Sequence, residues 1–165
     1  MSYYIIIRGP LGVGKSTIAQ RVARILKAEY VSIDSVLAKL GLDKASHYEE
    51  CIPAKNFIQA QESILPHIKK ALQKGKIVIF DACFYHKGQI EHLIKSLHYP
   101  HYVFTLKASL EACIERDSKR KKTYGKDAAT AVYRLVSKFD YGTAIGEKNL
   151  DDTIKEILSY LPKSE

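Results

Sequence analysis

The residues best suited to chemistry stand together near the start of the chain. Residues 9–16 read GPLGVGKS, which matches the G-x-x-x-x-G-K-S phosphate-loop pattern, and an apolar run precedes them. In such a loop the glycines let backbone N–H groups surround phosphate oxygens, while Lys15 reaches the β- and γ-phosphates and Ser16 coordinates Mg²⁺. The pattern predicts that the chain binds a nucleoside triphosphate with Mg²⁺. The residues predicted to hold the nucleotide are Gly9, Gly12, Val13, Gly14, Lys15, Ser16 and Thr17.

Two aspartates that follow apolar runs are candidates for acid–base or metal chemistry. Asp34 follows residues 30–33, and Asp81 follows residues 77–80. Ligands of a parallel α/β sheet bind beyond the carboxyl ends of the strands, where both side chains are expected. A carboxylate there holds Mg²⁺ or accepts a proton from an attacking hydroxyl. Asp81 has the form of a Walker-B carboxylate and is predicted to bind Mg²⁺ together with Ser16. Asp34 is better placed to face an acceptor, and capping of the next helix is its alternative role.

A third segment carries two arginines and a run of lysines. Arg116 and Arg120 are four residues apart, so a helix would present both on one side. An arginine over the phosphates stabilises the charge that develops during phosphoryl transfer. The residues that follow lack an apolar stripe, and we predict that a segment at about 116–128 forms a mobile lid that closes on the nucleotide and excludes water. A solvated basic loop is the alternative.

Composition narrows the class of protein. The 165 residues are 46% hydrophobic, and we expect one domain, 1–165. No run is long enough to cross a bilayer and no basic segment precedes the first apolar residues, so a cytoplasmic protein with no membrane partner is expected. Three widely spaced cysteines indicate neither a disulfide framework nor a zinc site, and we interpret them as ordinary buried or half-buried thiols. The net charge of +8 favours anionic partners, whether nucleotides, phosphorylated metabolites or nucleic acid.

Hydrophobic periodicity predicts an α/β protein with βαβ units around a parallel sheet. The segment 46–74 is expected to be helical in two pieces, with Pro66 at a kink or at the start of the second piece. The strand that leads to Asp34 is expected beside the strand that leads to the phosphate loop. The predicted strands are Tyr3–Arg8, Tyr30–Ile33, Lys76–Phe80 and Tyr102–Leu106, with a weaker one at Thr143–Ile145.

Taken in order, these features resemble a known family over roughly residues 3–140. The chain looks like the small P-loop kinases of the polynucleotide-kinase and chloramphenicol-phosphotransferase type. The features that carry the likeness are the phosphate loop, Asp34, Asp81, Arg116, Arg120 and the tyrosine-containing stretch 132–134.

The resemblance implies a fold and a reaction. The fold would be a three-layer P-loop NTPase fold, with a five-stranded parallel sheet, helices on both faces and an arginine-bearing lid. The reaction would be ATP-dependent transfer of a phosphoryl group. Lys15 and Ser16 would contact the phosphates and Mg²⁺, and Asp34 would be the base that activates an acceptor hydroxyl. Arg116 and Arg120 would be lid arginines near the donor phosphates or the adenine.

The sequence leaves two classes of phosphoryl acceptor open, small hydroxyl compounds and the 5′-hydroxyl ends of nucleic acids. Polynucleotide kinases usually carry an arginine three residues beyond the catalytic aspartate, and Leu37 takes that place here, which favours a small alcohol with an apolar face. The positive charge favours nucleic acid. A nucleotide-dependent switch such as a GTPase is the remaining alternative. The chain lacks the N/T-K-x-D segment of that class, and Phe84 stands where its D-x-x-G pattern requires glycine.

Overall fold

The computed structural model describes residues 1–45 and 51–163. Its strands form one five-stranded parallel sheet, which confirms the predicted α/β fold class. The strands are β1 (Tyr4–Arg8), β2 (Glu29–Ser32), β3 (Val78–Asp81), β4 (His101–Leu106) and β5 (Thr143–Ile145). Their order across the sheet is β2-β3-β1-β4-β5. The helices of the described residues are α1 (Lys15–Leu26), α2 (Ile33–Leu40), α3 (Ala54–Gln73), α4 (Lys87–Leu97), α5 (Leu110–Ser118), α6 (Lys126–Ser137) and α7 (Leu150–Ser159).

Helices cover both faces of the sheet, and the burial of β1 reflects this coverage. All five residues of this central strand are buried, as expected for a parallel strand that is covered on both sides. Tyr4 and Ile6 pack into the core beneath α2, α3, α4 and α6, whereas Ile5 and Ile7 pack into the core beneath α1 and α7. The strand therefore belongs to two hydrophobic cores, and the phosphate loop that follows it starts from a rigid base.

The strand order corrects one expectation about the site. β3, and not β2, is hydrogen-bonded to β1, so Asp81 lies on the neighbouring strand and Asp34 follows a strand one place further away. In the parallel register, Ile7 of β1 and Ser32 of β2 both pair with Asp81 of β3. The three strands thus end at the same level, and this common edge carries the candidate site.

The third helix also differs from its prediction. Ala54–Gln73 forms one helix with Pro66 inside it, so the expectation of two helical pieces is wrong. Phe57 lies before the proline and Ile68 and Leu72 lie after it, and all three are buried in the same core. This shared packing stabilises one continuous element although proline cannot donate its intrahelical hydrogen bond. The first part of the predicted segment, residues 46–50, lies outside the described residues.

A fully buried arginine connects the phosphate-loop strand to α6. Arg8 ends β1, and its guanidinium donates to the carbonyl oxygens of Phe84 (3.3 Å), Phe139 (3.1 Å) and Val136 (3.1 Å) and to the hydroxyl of Thr105 (3.0 Å). Burial lowers the pKa of Arg8 to about 10, so the side chain still carries its charge at neutral pH. The carboxyl end of α6 is therefore held directly against the strand that precedes the phosphate loop.

Within the described ranges, no helix combines the length and the apolar character that a bilayer crossing would need.

Candidate active site

The phosphate loop has the backbone conformation that its glycines predict. Gly12 and Gly14 have φ angles of 80° and 97°, in the left-handed region that favours glycine. Helix α1 begins directly after Gly14 without a side-chain cap, so its first backbone N–H groups are available to an anion. The buried side chain of Lys15 bends back over the loop, where its Nζ donates to the carbonyl oxygen of Pro10 at 3.2 Å. The loop thus presents several donors to one small space.

Gly12 is also needed for packing against α5. A Cβ atom at this position would lie 2.1 Å from the carbonyl oxygen of Cys113. The phosphate loop and α5 therefore touch backbone to backbone, which brings Arg116, one turn after Cys113, towards the loop.

We expect Gly12→Ala to lower the free energy of unfolding by about 3 kcal/mol or more, because strain at a positive φ adds to a clash between two backbones. Urea unfolding followed by circular dichroism measures this change. Gly88→Ala is the matched control, since no atom lies within 4 Å of its Cβ position and no positive φ is involved. A Gly12→Ala protein as stable as the control would contradict the close packing described above.

The structure brings the two predicted metal ligands, Ser16 and Asp81, into contact. The Ser16 hydroxyl donates to Oδ2 of Asp81 at 2.8 Å, and the Tyr30 hydroxyl donates to the same oxygen. Asp81 is 3% exposed, at the end of β3. Burial is the main cause that raises the pKa of Tyr30, and the interaction with Asp81 raises it further. The phenol therefore keeps its proton and remains a donor. Tyr30 escaped the sequence analysis because it stands inside an apolar run and meets Asp81 only through strand pairing.

These oxygens fit Mg²⁺, which is usually bound through one or two carboxylates together with substrate phosphates and water. Ser16 and Asp81 supply one hydroxyl and one carboxylate beside the phosphate loop. In the part of the chain that the structure describes, no group of three or more His, Cys, Asp or Glu side chains could hold a metal ion. A magnesium ion here would therefore take its other ligands from the nucleotide and from water.

Asp34 lies in the first turn of α2 and does not cap it. The capping residue is Ser32, whose side chain accepts a hydrogen bond from the backbone N–H of Ser35 at 3.2 Å, so the capping alternative for Asp34 is wrong. Among residues 1–45 and 51–163, the Asp34 carboxylate has no hydrogen-bond or ion-pair partner. Asp34 is exposed to solvent, yet the surrounding protein is dense enough to raise the pKa of its carboxyl by burial. Lys15 opposes this rise.

Electrostatic interactions connect Asp34 to the phosphate loop. Burial by itself lowers the pKa of Lys15, but Cys83, Asp81 and Asp34 together outweigh burial, so the pKa is raised and the amine stays charged. Cys83 lies just beyond β3, and burial raises the pKa of its thiol to about 11. This cysteine is buried, as expected, but its position next to Lys15 and Asp34 was not predicted. At neutral pH this thiol keeps its proton, and the carboxylates of Asp81 and Asp34 are then the groups that favour the charge of Lys15.

Both predicted lid arginines reach the phosphate loop. Arg116 lies in the last turn of α5, whereas Arg120 comes two residues after that helix ends at Ser118. The expectation that one helix presents both arginines is therefore wrong, although the two side chains line the same cavity of about 230 Å³. The other residues that line this cavity are Gly12, Gly14, Lys15, Ser16 and Thr17.

A second cavity of about 270 Å³ adjoins the first and was not predicted. The two cavities share Gly14, Thr17 and Arg116. Arg116 donates to Oε1 of Glu147 at 2.8 Å, which ties α5 to the loop between β5 and α7. The apolar side chains that line the second cavity are Val13, Ile18, Leu106, Ile145 and Leu150.

Comparison with known proteins gives one family match and several solved structures with a similar fold. The model of the AAA domain family matches residues 5–138, which is more than half of the chain. The chain belongs to the AAA domain family. This AAA-domain protein also resembles two solved structures in fold. One is a gluconokinase from Sinorhizobium meliloti 1021, 14% identical, with a TM-score of 0.65 over 94% of this chain and 89% of the other.

The second is a sugar kinase from Janibacter sp. HTCC2649, 14% identical, with a TM-score of 0.73 over 97% of this chain and 94% of the other. At such low identity these likenesses show the fold alone. No curated protein matches the AAA-domain protein significantly in sequence. The narrower resemblance to polynucleotide kinases and chloramphenicol phosphotransferases stays a prediction.

Proposed function

We propose that this AAA-domain protein is an ATP-dependent kinase that transfers the γ-phosphoryl group to a hydroxyl of a small molecule. One observation carries the proposal: Lys15 and Ser16 of the phosphate loop line the same cavity as Arg116 and Arg120. Donors from a loop and from a separate helical segment therefore converge on one space. Phosphoryl transfer requires such convergence, because its catalysis is mainly positioning and charge stabilisation.

Each side chain has a role that follows from its position. Lys15, charged and buried at the loop, binds the β- and γ-phosphates. Ser16 and Asp81 would hold Mg²⁺, which neutralises phosphate charge when it is bound. Asp34, with no partner in the described residues and a raised pKa, is free to accept the proton of the acceptor hydroxyl. Arg120 stabilises charge on the transferred group.

The adjoining cavity suits the nucleoside half of ATP. Its apolar lining, from the phosphate loop, the end of β4 and the β5–α7 region, offers the kind of surface that binds a base. Because Arg116 lines both cavities and is held by Glu147, it stands where the nucleoside joins the phosphates. A nucleotide that spans both cavities would place its phosphates in the first cavity and its base in the second.

The acceptor is proposed to be a small polyhydroxylated compound. Two of the solved structures that share the fold are a gluconokinase and a sugar kinase, which makes sugars and sugar acids the first class to test. Leu37 is fully buried in the core, so its side chain is not available to contact an acceptor. Asp34 remains the residue that we propose contacts the acceptor hydroxyl.

An acceptor screen tests the proposal. ADP production would be measured with ATP and Mg²⁺ against sugars, sugar acids, nucleosides, other alcohols and 5′-hydroxyl oligonucleotides. We expect one small-molecule class to stimulate ADP release above the acceptor-free rate. Stimulation by oligonucleotides alone would favour the nucleic-acid alternative. Tight nucleotide binding by calorimetry with no acceptor in any class, and a preference for GTP, would favour a switch.

The two lid arginines are expected to differ in their effects. Arg120→Ala should lower kcat about 10²-fold and leave the nucleotide Kd nearly unchanged, because Arg120 lines only the phosphate cavity. Arg116→Ala should instead raise the nucleotide Kd about tenfold, the effect of one charged hydrogen bond lost. Steady-state kinetics with calorimetry separates the two effects. Identical profiles for both variants, or the reverse assignment, would contradict these separate roles.

A further inference from the structure

We propose that Asp117 is a positioning residue that fixes the basic loop between α5 and α6, so that Arg120 faces the phosphate-loop cavity. This loop, residues 119–125, is called the lid loop below. The catalytic consequence rests on the proposed function, whereas the structural part can be tested without any acceptor.

The Asp117 carboxylate binds the far end of the lid loop. The residue belongs to the last turn of α5 and is 2% exposed. Its Oδ2 accepts from the backbone N–H groups of Tyr124 (3.2 Å) and Gly125 (3.1 Å), and its Oδ1 accepts from Tyr124 (3.3 Å). Gly125 is the residue that precedes α6. One side chain at the end of α5 therefore holds the start of α6 and closes the loop between them.

Backbone N–H groups, rather than basic side chains, compensate the charge of the Asp117 carboxylate. Among the residues that the structure describes, no lysine, arginine or histidine forms an ion pair with Asp117. Nearby basic side chains are engaged elsewhere, Arg116 with Glu147 and Lys119 with Glu115. A buried carboxylate requires strong hydrogen bonds, and two N–H groups at the positive end of α6 supply them. The interaction is therefore specific to this arrangement of the two helices.

Closing the loop also sets the direction of Arg120. The backbone N–H of Arg120 donates to the Asp117 carbonyl oxygen at 3.1 Å, and the Arg120 guanidinium lies over the Tyr124 ring, 5.6 Å from its centre. Asp117 thus holds both members of this cation–π pair, Arg120 through its own carbonyl and Tyr124 through its carboxylate. The lid loop thereby places Arg120 at the phosphate cavity.

Limited trypsin digestion tests the structural part. Lys121 and Lys122 in the exposed lid loop are natural cleavage sites. We expect Asp117→Ala to be cut there about tenfold faster than wild type, since local opening controls cleavage at temperatures well below the thermal midpoint. Asp117→Asn, which keeps one acceptor oxygen, should lie between the two. Glu111→Gln is the matched control, because it removes an exposed carboxylate of the same helix that has no ion-pair partner among the described residues, and it should be cut at the wild-type rate.

Kinetics tests the positioning role. We expect Asp117→Ala to lower kcat about tenfold with a smaller change in nucleotide Kd, and Asp117→Asn to recover part of that loss. Faster cleavage with unchanged kcat would overturn the positioning role, and unchanged cleavage would overturn the proposal as a whole. If no acceptor is found, the proposed function fails while the cleavage rates still decide the structural part. If the alanine variant does not fold, the asparagine variant decides both, and wild-type values for it would overturn the proposal.

Discussion

Replacing Lys15 with alanine is expected to lower kcat/KM by at least about 10³-fold, the largest effect of any single substitution in this protein. The amine is buried at the loop, its charge is favoured by Asp81 and Asp34, and it lines the cavity that the lid arginines also reach. No other side chain combines this charge with this position in the described residues. Nucleotide binding should weaken as well, because the same amine contacts the phosphates before and during transfer.

The measurement for Lys15→Ala is acceptor-dependent ADP release together with calorimetric titration of ATP and Mg²⁺. Lys155→Ala, which removes an exposed lysine from α7, controls for the loss of one positive charge. Circular dichroism should show the same helix content for both variants, since Lys15 makes a single side-chain hydrogen bond to backbone. A Lys15→Ala protein with more than a tenth of wild-type kcat/KM would mean that the loop does not bind the reacting phosphates.

Asp34→Asn is expected to lower kcat about 10³-fold while the nucleotide Kd changes less than about threefold. Asparagine keeps the size of the side chain but cannot take the proton of an acceptor hydroxyl. The carboxylate does not line the phosphate cavity, so ATP binding should be retained. Asp43→Asn, at an exposed aspartate beyond the end of α2, is the control and should retain full activity.

The pH profile gives a second readout for Asp34. Since burial raises the pKa of this carboxyl, wild-type kcat/KM should rise with pH as the group ionises and fall when it becomes protonated on the acid side. The residual activity of Asp34→Asn should lack that acid limb. Full transfer activity in this variant, or an unaltered acid limb, would remove Asp34 from the mechanism.

Much of this molecule could be predicted because the relevant information is local in the chain. The phosphate loop is contiguous, and its function depends on backbone conformations that Gly12 and Gly14 permit wherever the strand and helix lie. The five strands, the weaker one at Thr143–Ile145 included, and the helical stripes follow from short-range periodicity in the same way. The continuous helix through Pro66 was not predictable, because packing on both sides of the proline decided it.

The placement of the acidic groups depended on pairing between strands. The chain order of Asp34 and Asp81 says which strand each follows, but not that β3 inserts between β1 and β2. This order brings Tyr30 and Ser16 to the same Asp81 oxygen. No local pattern connects a tyrosine in one apolar run with an aspartate 51 residues later.

By itself, the amino-acid sequence determined the phosphate loop, the α/β class and the identities of the charged groups, because each is encoded within a few consecutive residues. Only the tertiary structure decided which of these groups meet. Gly12 touches Cys113 across the loop, Asp117 closes the lid loop, and Arg120 reaches the phosphate cavity from beyond the end of α5. Such contacts join segments that are distant in the chain, so they depend on how the whole core packs rather than on any local propensity.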